Sequence, residues 1–505
     1  MSDRAAAALA TGLLRDVGLV TDTDTQMVVD RYSIRRRRCK IRLERVRERH
    51  GEVMGLRCLG FDGKRDKGTK VEKQVEVNGS VVTRYGTKTE EHVVFVEDPG
   101  GKYVDHIVVE EGEGTGRHLG LAAADVIREL QSVDKLEAVQ CDGTNVNTGW
   151  KSGAVAELER NIQKPVQWLV CLKHSNELPM RHVFNKLDGG YGTSGPESFK
   201  GPIGKDLSGD IHLDPVSTFE KIESNLPDLP EPVLADMSRD FVLLYRYSRA
   251  VSEGSVSDDL ASQKPGPLNH ARWGTLALRV LIHYTRSTNP PDQLVEMVKF
   301  IVQVYSVTLF NTSYKSKFTS GAPLLFEMMN LIKTQSEEVQ QIAKPVVQNN
   351  AYFAHPENVL AAMLADEDEE VRRDAVNKIL ALRKMKNEPK KSKMIRGIRV
   401  FKVPKLNWDA SKYIEIFDWT TTNITEPPVT KSFSEDDLLT AFEAPLLFPD
   451  YSLHTQAVER AVKLVSEASK VVYGPEARHK LILSRIKARE IRPAYDTKKD
   501  YVVNV

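Results

Sequence analysis

The sequence predicts an α/β protein: a mixed β-sheet in its first third, a long all-helical region, and a late helix that returns to the sheet. Three observations carry this. Between residues 53 and 174 short apolar runs alternate first with turn signals and then with helical periods. From about Thr218 to Ala441 the apolar spacing is helical almost throughout. A separate amphipathic stretch, "SLHTQAVERAVKLVSEASKVV", then runs from Ser452 to Val472.

Composition narrows the function classes. Of 505 residues, 41% are apolar and 28% charged, which fits a soluble globular chain of two to four domains. The formal net charge is +1, so any nucleic-acid contact must come from local patches. The four cysteines, Cys39, Cys58, Cys141 and Cys171, form no CxxC pair. Neither a disulfide framework nor a zinc finger is expected, and the reading is a reducing, intracellular compartment. The apolar run at the N-terminus is broken by Arg4, Arg15 and Asp16, and no stretch reaches 18 uninterrupted apolar residues, so neither a signal peptide nor a membrane span is expected.

The elements follow in order. The first fifty residues read as helix, and "RRRRCKIRLERVRERH" (35–50) concentrates nine basic side chains there. That segment is either a solvated helix face or a phosphate-contacting or nuclear-import segment. "VMGLRCLGFDG" (53–63) reads as a buried strand closed by Asp62-Gly63. "KVEKQVEVNGSVVTRYG" reads as a hairpin turning at Asn78-Gly79, partly an elaboration of the core. Residues 91–111 give two strands around Asp98-Pro99-Gly100-Gly101. Helix 119–131, strand 136–143, helix 153–162, strand 165–174 and helix 177–189 follow. "GEGTGRHLG" (112–120) reads as a turn opening the first of these helices. Three hairpin-joined strands followed by helical crossovers imply antiparallel and then parallel pairing, a ribonuclease H-like order. Residues 383–405 hold ten basic residues and read as a loop with an extended end. "MLADEDEEVRRDAVNKILALRK" resembles one HEAT unit without a second copy. The expected domains are a basic N-terminal segment (1–50), the first part of the core (51–215), a helical insertion (216–440), and a returning helix with its tail (441–505).

In such a sheet the first and fourth core strands can end side by side, and the sequence puts an acid at each end: Asp62 in "GFDGK" and Asp142 in "QCDGT". Paired carboxylates repel unless a divalent cation neutralises them. Magnesium suits such a site, because it takes oxygen ligands and keeps positions for water and phosphate. The plainer reading is two strand ends rich in turn residues.

"CDGTNVNTG", then "QWLVCLKHSNELPMRHVF", "NHARWGTLALRVL" and "HTQAVERAVKLVSEAS", in that order, resemble the hAT superfamily of transposases and transposon-derived animal proteins over roughly residues 55–475. The resemblance implies a DDE/D site of Asp62, Asp142 and Glu459, holding magnesium, with manganese as substitute, for phosphodiester hydrolysis and DNA strand transfer. It makes His174 of the C-x-x-H pair (Cys171, His174), Arg272 and Trp273 DNA contacts. The plainer readings are a hydrogen-bonded His174 above a packed Cys171, a core Trp273, and a surface Glu459 paired with Lys463. The basic segments, through Arg36, Arg37, Lys390 and Lys391, would hold DNA electrostatically. The expected partners are DNA and further copies of the chain in a nuclear protein, with no membrane and no small-molecule cofactor. The competing expectations are a domesticated relative that binds DNA or protein without cutting, and a helical-repeat scaffold.

Overall fold

The computed structural model describes residues 3–30, 55–77, 80–109, 114–192, 198–268, 273–385, 394–395 and 398–490. These fall into two compact units. The first comprises the described residues of Met1–Trp168, Lys393–Val400 and Thr455–Arg492; the second comprises those of Leu169–Ser392 and Phe401–His454.

The first unit opens with α1 (Asp3–Asp16), far shorter than the helical reading of the first fifty residues. Gly18 ends it with φ 74°, a conformation glycine adopts at little cost after a helix, and residues 19–30 are irregular. The basic run 35–50, with Arg36 and Arg37, lies outside the described residues.

The sheet has five strands in the order β3-β2-β1-β4-β5. These are β1 (Cys58–Val77), β2 (Ser80–Glu97), β3 (Lys102–Val109), β4 (Ala138–Cys141) and β5 (Gln167–Val170). β1 pairs antiparallel with β2, β2 antiparallel with β3, and β1 parallel with β4, so the sheet is mixed, as the hairpin-then-crossover order requires. Two expectations are corrected. What reads as a short strand plus a separate hairpin is one long ladder, from Leu59↔Glu97 to Val77↔Ser80, with a bulge between Asp66 and Thr69. Asp62-Gly63 is therefore not a turn but mid-strand, opposite Val94 and Val93. The buried run Val93–Val96 supplies partners along that stretch, and pairing overrides local turn preference. The Asn78-Gly79 turn itself lies outside the described residues. The Asp98–Gly101 turn is present, with Gly100 and Gly101 at φ 99° and 64°.

Alternation along the ladder sorts the side chains. Leu59, Phe61, Val93 and Phe95 share one face, with the rings of Phe61 and Phe95 6.4 Å apart. Val94 and Val96 share the other, where α4 (Gln456–Ser469) buries Val458, Ala461, Val462, Leu464 and Val465 against them. α5 (Pro475–Glu490), a helix that local periodicity does not announce, adds Ile482 to this cluster. α2 (Gly116–Glu129) and α3 (Ala154–Ile162) lie against each other. A Cβ at Gly120 would stand 2.4 Å from the Ala154 carbonyl, so only glycine allows this approach. The stretch read as a turn at 112–120 is thus already helix from Gly116.

The second unit is helical, as expected. Helix Leu172–Leu187 begins directly after β5, so Cys171 is its N-cap and His174 lies in its first turn. Tyr247, Tyr284, Phe310, Phe318 and Phe353 fill the interior. The HEAT-like stretch takes in the last two residues of helix Pro356–Leu364, a break, and most of helix Glu369–Met385. Asp292–Tyr314 is helical throughout, 23 residues with mean hydropathy 1.3. It is long and apolar enough to cross a membrane, but 72% of its apolar window is buried within the protein, as in a core helix. It contains a π-turn at Ile301–Tyr305.

Candidate active site

The site begins with a glycine. β1 and β4 run in register Cys58↔Ala138, Leu59↔Val139, Gly60↔Gln140. The pairing ends there, two residues before Asp62 on β1 and two before Asp142, which is the first residue beyond β4. Gly60 lies beneath α4: a Cβ there would meet Val458 Cγ2 and Val96 Cγ2 at 2.9 Å each. Asp62, two residues further along, belongs to the same face. Glu459 follows Val458 directly, in the first turn of α4. All three carboxylates are half-buried and belong to the first unit, so the architecture draws to one region three acids spread over some 400 positions.

The turn after β4 has a definite task. Asp142 Oδ1 accepts hydrogen bonds from the Thr144 amide (3.0 Å), the Thr144 hydroxyl (2.7 Å) and the Asn147 amide group (2.7 Å); Oδ2 takes none of these. The D-x-T-x-x-N spacing is thus a clamp: Thr144 starts a single helical turn, Asn145–Thr148, which swings Asn147 back onto the acid. Asp62 Oδ1 accepts from the Gly63 amide at 2.7 Å. Thr455 reaches Glu459 Oε1 at 3.5 Å. Three carboxylates, one with an oxygen outside its clamp, fit a hard divalent cation as a donor set. They are not the most tightly gathered metal-ligating groups, however. Among the described residues, the trio with ligand atoms all within 4.8 Å of one another is Asp105, His106 and His479.

α4 is tied to the hairpin by a group the sequence reading missed. Asp66 is only 1% exposed, accepts from the Ser466 hydroxyl of α4, and has Lys64 and Lys470 each at 3.8 Å. In sequence Asp66 looks like one charge in a loop; it becomes buried because β1 continues through it.

The remaining expected residues separate from the acids. His174, half-buried, and Cys171, 3% exposed, belong to the second unit. The Cys171 carbonyl accepts from the Ser175 amide at 3.2 Å and hydroxyl at 3.3 Å, which closes the helix start. Trp273 begins helix Trp273–Tyr284; Arg272, Lys390 and Lys391 lie outside the described residues. Two cations of the basic stretch 383–405 are structural instead. Arg383 pairs with Glu426 at 2.6 Å and donates to the Thr430 and Phe433 carbonyls. Arg399 lies in a short antiparallel pair, β6 (Met394–Ile395) and β7 (Ile398–Arg399), within the stretch read as a loop with an extended end. It pairs with the buried Glu159 at 2.8 Å, and Glu159 also accepts from the Val166 amide and Trp168 Nε1.

No protein-family model matches the chain, and no curated protein matches it either.

Proposed function

We propose that the first unit is a ribonuclease H-like catalytic core, and that the chain is a transposase-like nuclear protein that cuts and joins DNA through Asp62, Asp142 and Glu459. The observation that supports this reading is the parallel β1–β4 pairing, which ends two residues before both Asp62 and Asp142, with Gly60 packed under the helix that bears Glu459. The strand order, with three antiparallel strands and a parallel fourth, supports the same core. In this reading Asp142 is held at a fixed angle by Thr144 and Asn147, Asp62 is fixed by its strand, and Glu459 is fixed by the packing of Val458 over Gly60. Magnesium, or manganese in its place, would supply Lewis-acid activation of the attacking oxygen and stabilisation of the leaving one. The residues' own contribution is direction and negative charge, the main demands of phosphoryl transfer. DNA would be held electrostatically by the basic segments and further copies of the chain, with His174, Arg272 and Trp273 as expected contacts.

A second reading, a relative that binds DNA or protein without cutting, is favoured by one observation: the three acids are less tightly gathered than the Asp105 trio. One experiment separates the two. Wild type and Glu459→Gln are compared for magnesium- or manganese-dependent plasmid nicking and oligonucleotide strand transfer, with DNA binding measured against salt. The expected result is nicking by wild type, at least a hundredfold loss in the Gln variant, and equal binding that weakens steeply with salt. Wild-type protein that binds but never cleaves sinks the catalytic reading; equal cleavage by both makes Glu459 a surface residue.

A further inference from the structure

A separate cluster lies on the outer edge of the sheet: we propose that Asp105, His106 and His479 bind a divalent transition-metal ion, zinc foremost, which fastens α5 to β3. The inference does not depend on the catalytic reading. β3 supplies Asp105 and His106, α5 supplies His479, and one ligand atom from each lies within 4.8 Å of the others. Zinc binds imidazole nitrogen at about 2.0–2.1 Å and carboxylate oxygen at about 2.0–2.2 Å in a tetrahedral array. That geometry sets ligand atoms about 3.3 Å apart, so the trio closes on an ion through side-chain shifts on the order of 1 Å.

The surroundings orient the ligands. Tyr103, buried on β3, places its hydroxyl 2.6 Å from His106 Nδ1. With Nδ1 donating to that hydroxyl, Nε2 would be the ligand atom, the arrangement that fixes a ligating imidazole. Asp105 Oδ1 accepts the His106 amide at 2.7 Å, which holds the carboxylate beside that ring and presents Oδ2 as the second donor. Next to His479, Arg478 is buried and pairs with buried Glu90 at 3.1 Å, which holds this turn of α5 against β2. A further observation marks the surroundings as polar. His92, 1% exposed, has its ring centroid 6.1 Å from that of His106, and neither of its ring nitrogens has a hydrogen-bond partner. Two imidazoles and one carboxylate select the zinc class over magnesium, which prefers oxygen alone, and three protein ligands leave one position for water.

Full-length protein is stripped with EDTA, gel-filtered, and titrated with zinc chloride or magnesium chloride by calorimetry and thermal melting, with bound metal counted by mass spectrometry. The expected result is one zinc bound at the edge cluster per chain and a Tm rise of about 5–10 °C at a hundredfold excess over Kd, while any magnesium response is the same in wild type and in the edge-cluster variants. His479→Gln and His106→Gln bind zinc at least tenfold more weakly, while His118→Gln, at an exposed histidine, binds like wild type. Asp105→Asn makes the same test from the strand if the helix variant fails to fold. Wild type that takes up no zinc, ligand variants that keep wild-type zinc affinity, or a magnesium shift that the ligand variants abolish each overturn the proposal.

Discussion

Gly60→Ala tests how α4 is seated, and with it the placement of Glu459. The added methyl would lie 2.9 Å from Val458 Cγ2, 2.9 Å from Val96 Cγ2 and 3.4 Å from Gln140 Oε1. Carbon atoms pack at about 3.5–4.0 Å, so both valines must retreat by about 0.6 Å or more. Both are fully buried and β-branched, with little rotamer freedom to turn away, so the displacement passes to the helix. Overpacking of this kind costs about 1–3 kcal/mol. Replacing glycine also removes freedom from the unfolded chain, a gain of about 0.4–1 kcal/mol. The clash wins, leaving a net loss on the order of 1–2 kcal/mol, or a Tm drop of about 2–8 °C in a domain of this size class. The catalytic effect should be larger, because a misplacement of about 1 Å costs about a hundredfold in rate. Val458→Ala removes the offending Cγ2, so the double variant should recover part of both losses, with a coupling of about 0.5–3 kcal/mol. The assays are thermal melting and metal-dependent nicking for the two single variants and the pair. An unchanged Tm in Gly60→Ala, or strictly additive effects in the pair, would refute the proposed seating of α4.

Three further outcomes follow from other contacts. Asn147→Ala should leave the fold intact within about 1 kcal/mol while lowering metal-dependent nicking about 10–100-fold, since outer partners of ligating groups matter to that degree; equal activity would reduce the clamp to a turn cap. Arg399→Met strands buried Glu159 and should cost about 3–5 kcal/mol in urea unfolding without changing DNA affinity; weakened DNA binding at full stability would return Arg399 to the nucleic-acid surface. His92 has its pKa lowered to about 4, mainly by burial and then by Arg478. Its neutral form is favoured by folding, so in EDTA-treated protein this contribution is complete above pH 6.5 and is lost as pH falls from 6.5 towards 4, up to about 3 kcal/mol. A His92→Leu variant should flatten that part of the pH–stability curve, measured by urea titration at pH 7.5, 6 and 5.

The sheet was legible in outline because its signals are local. Alternation from residue 53, the Asp98–Gly101 turn, and helical periods between the later strands yield three hairpin strands and then crossovers. The error at Asp62-Gly63 shows the limit of such signals. A turn dipeptide inside a strand is read as a turn until its partner is known, and the partner run Val93–Val96 lies thirty residues away. α5 was missed for a related reason. Its sequence, "PEARHKLILSRIKARE", spreads charge around the helix, and what holds it is specific: Ile482 in the α4 cluster, and Arg478 against Glu90 on β2.

Legibility of the acids follows the same division. Asp142 was identified by strand position and by resemblance; the structure adds a clamp contained in six consecutive residues, Asp142 to Asn147, which the sequence reading did not use. Asp62 was identified by strand position and Glu459 by resemblance, and what relates them physically is Gly60, which neither reading used. A glycine in mid-strand ordinarily weakens a sheet, and it is tolerated where another chain segment must come close. Here that segment is the first turn of α4, whose Val458 occupies the volume a side chain would fill. The same glycine that costs β1 some stability therefore sets how near the first turn of α4, which carries Glu459, can approach β1. The edge cluster had no such local trace: an Asp-His pair in a strand and a histidine beside a buried arginine each look like ordinary polar residues until β3 and α5 are laid together.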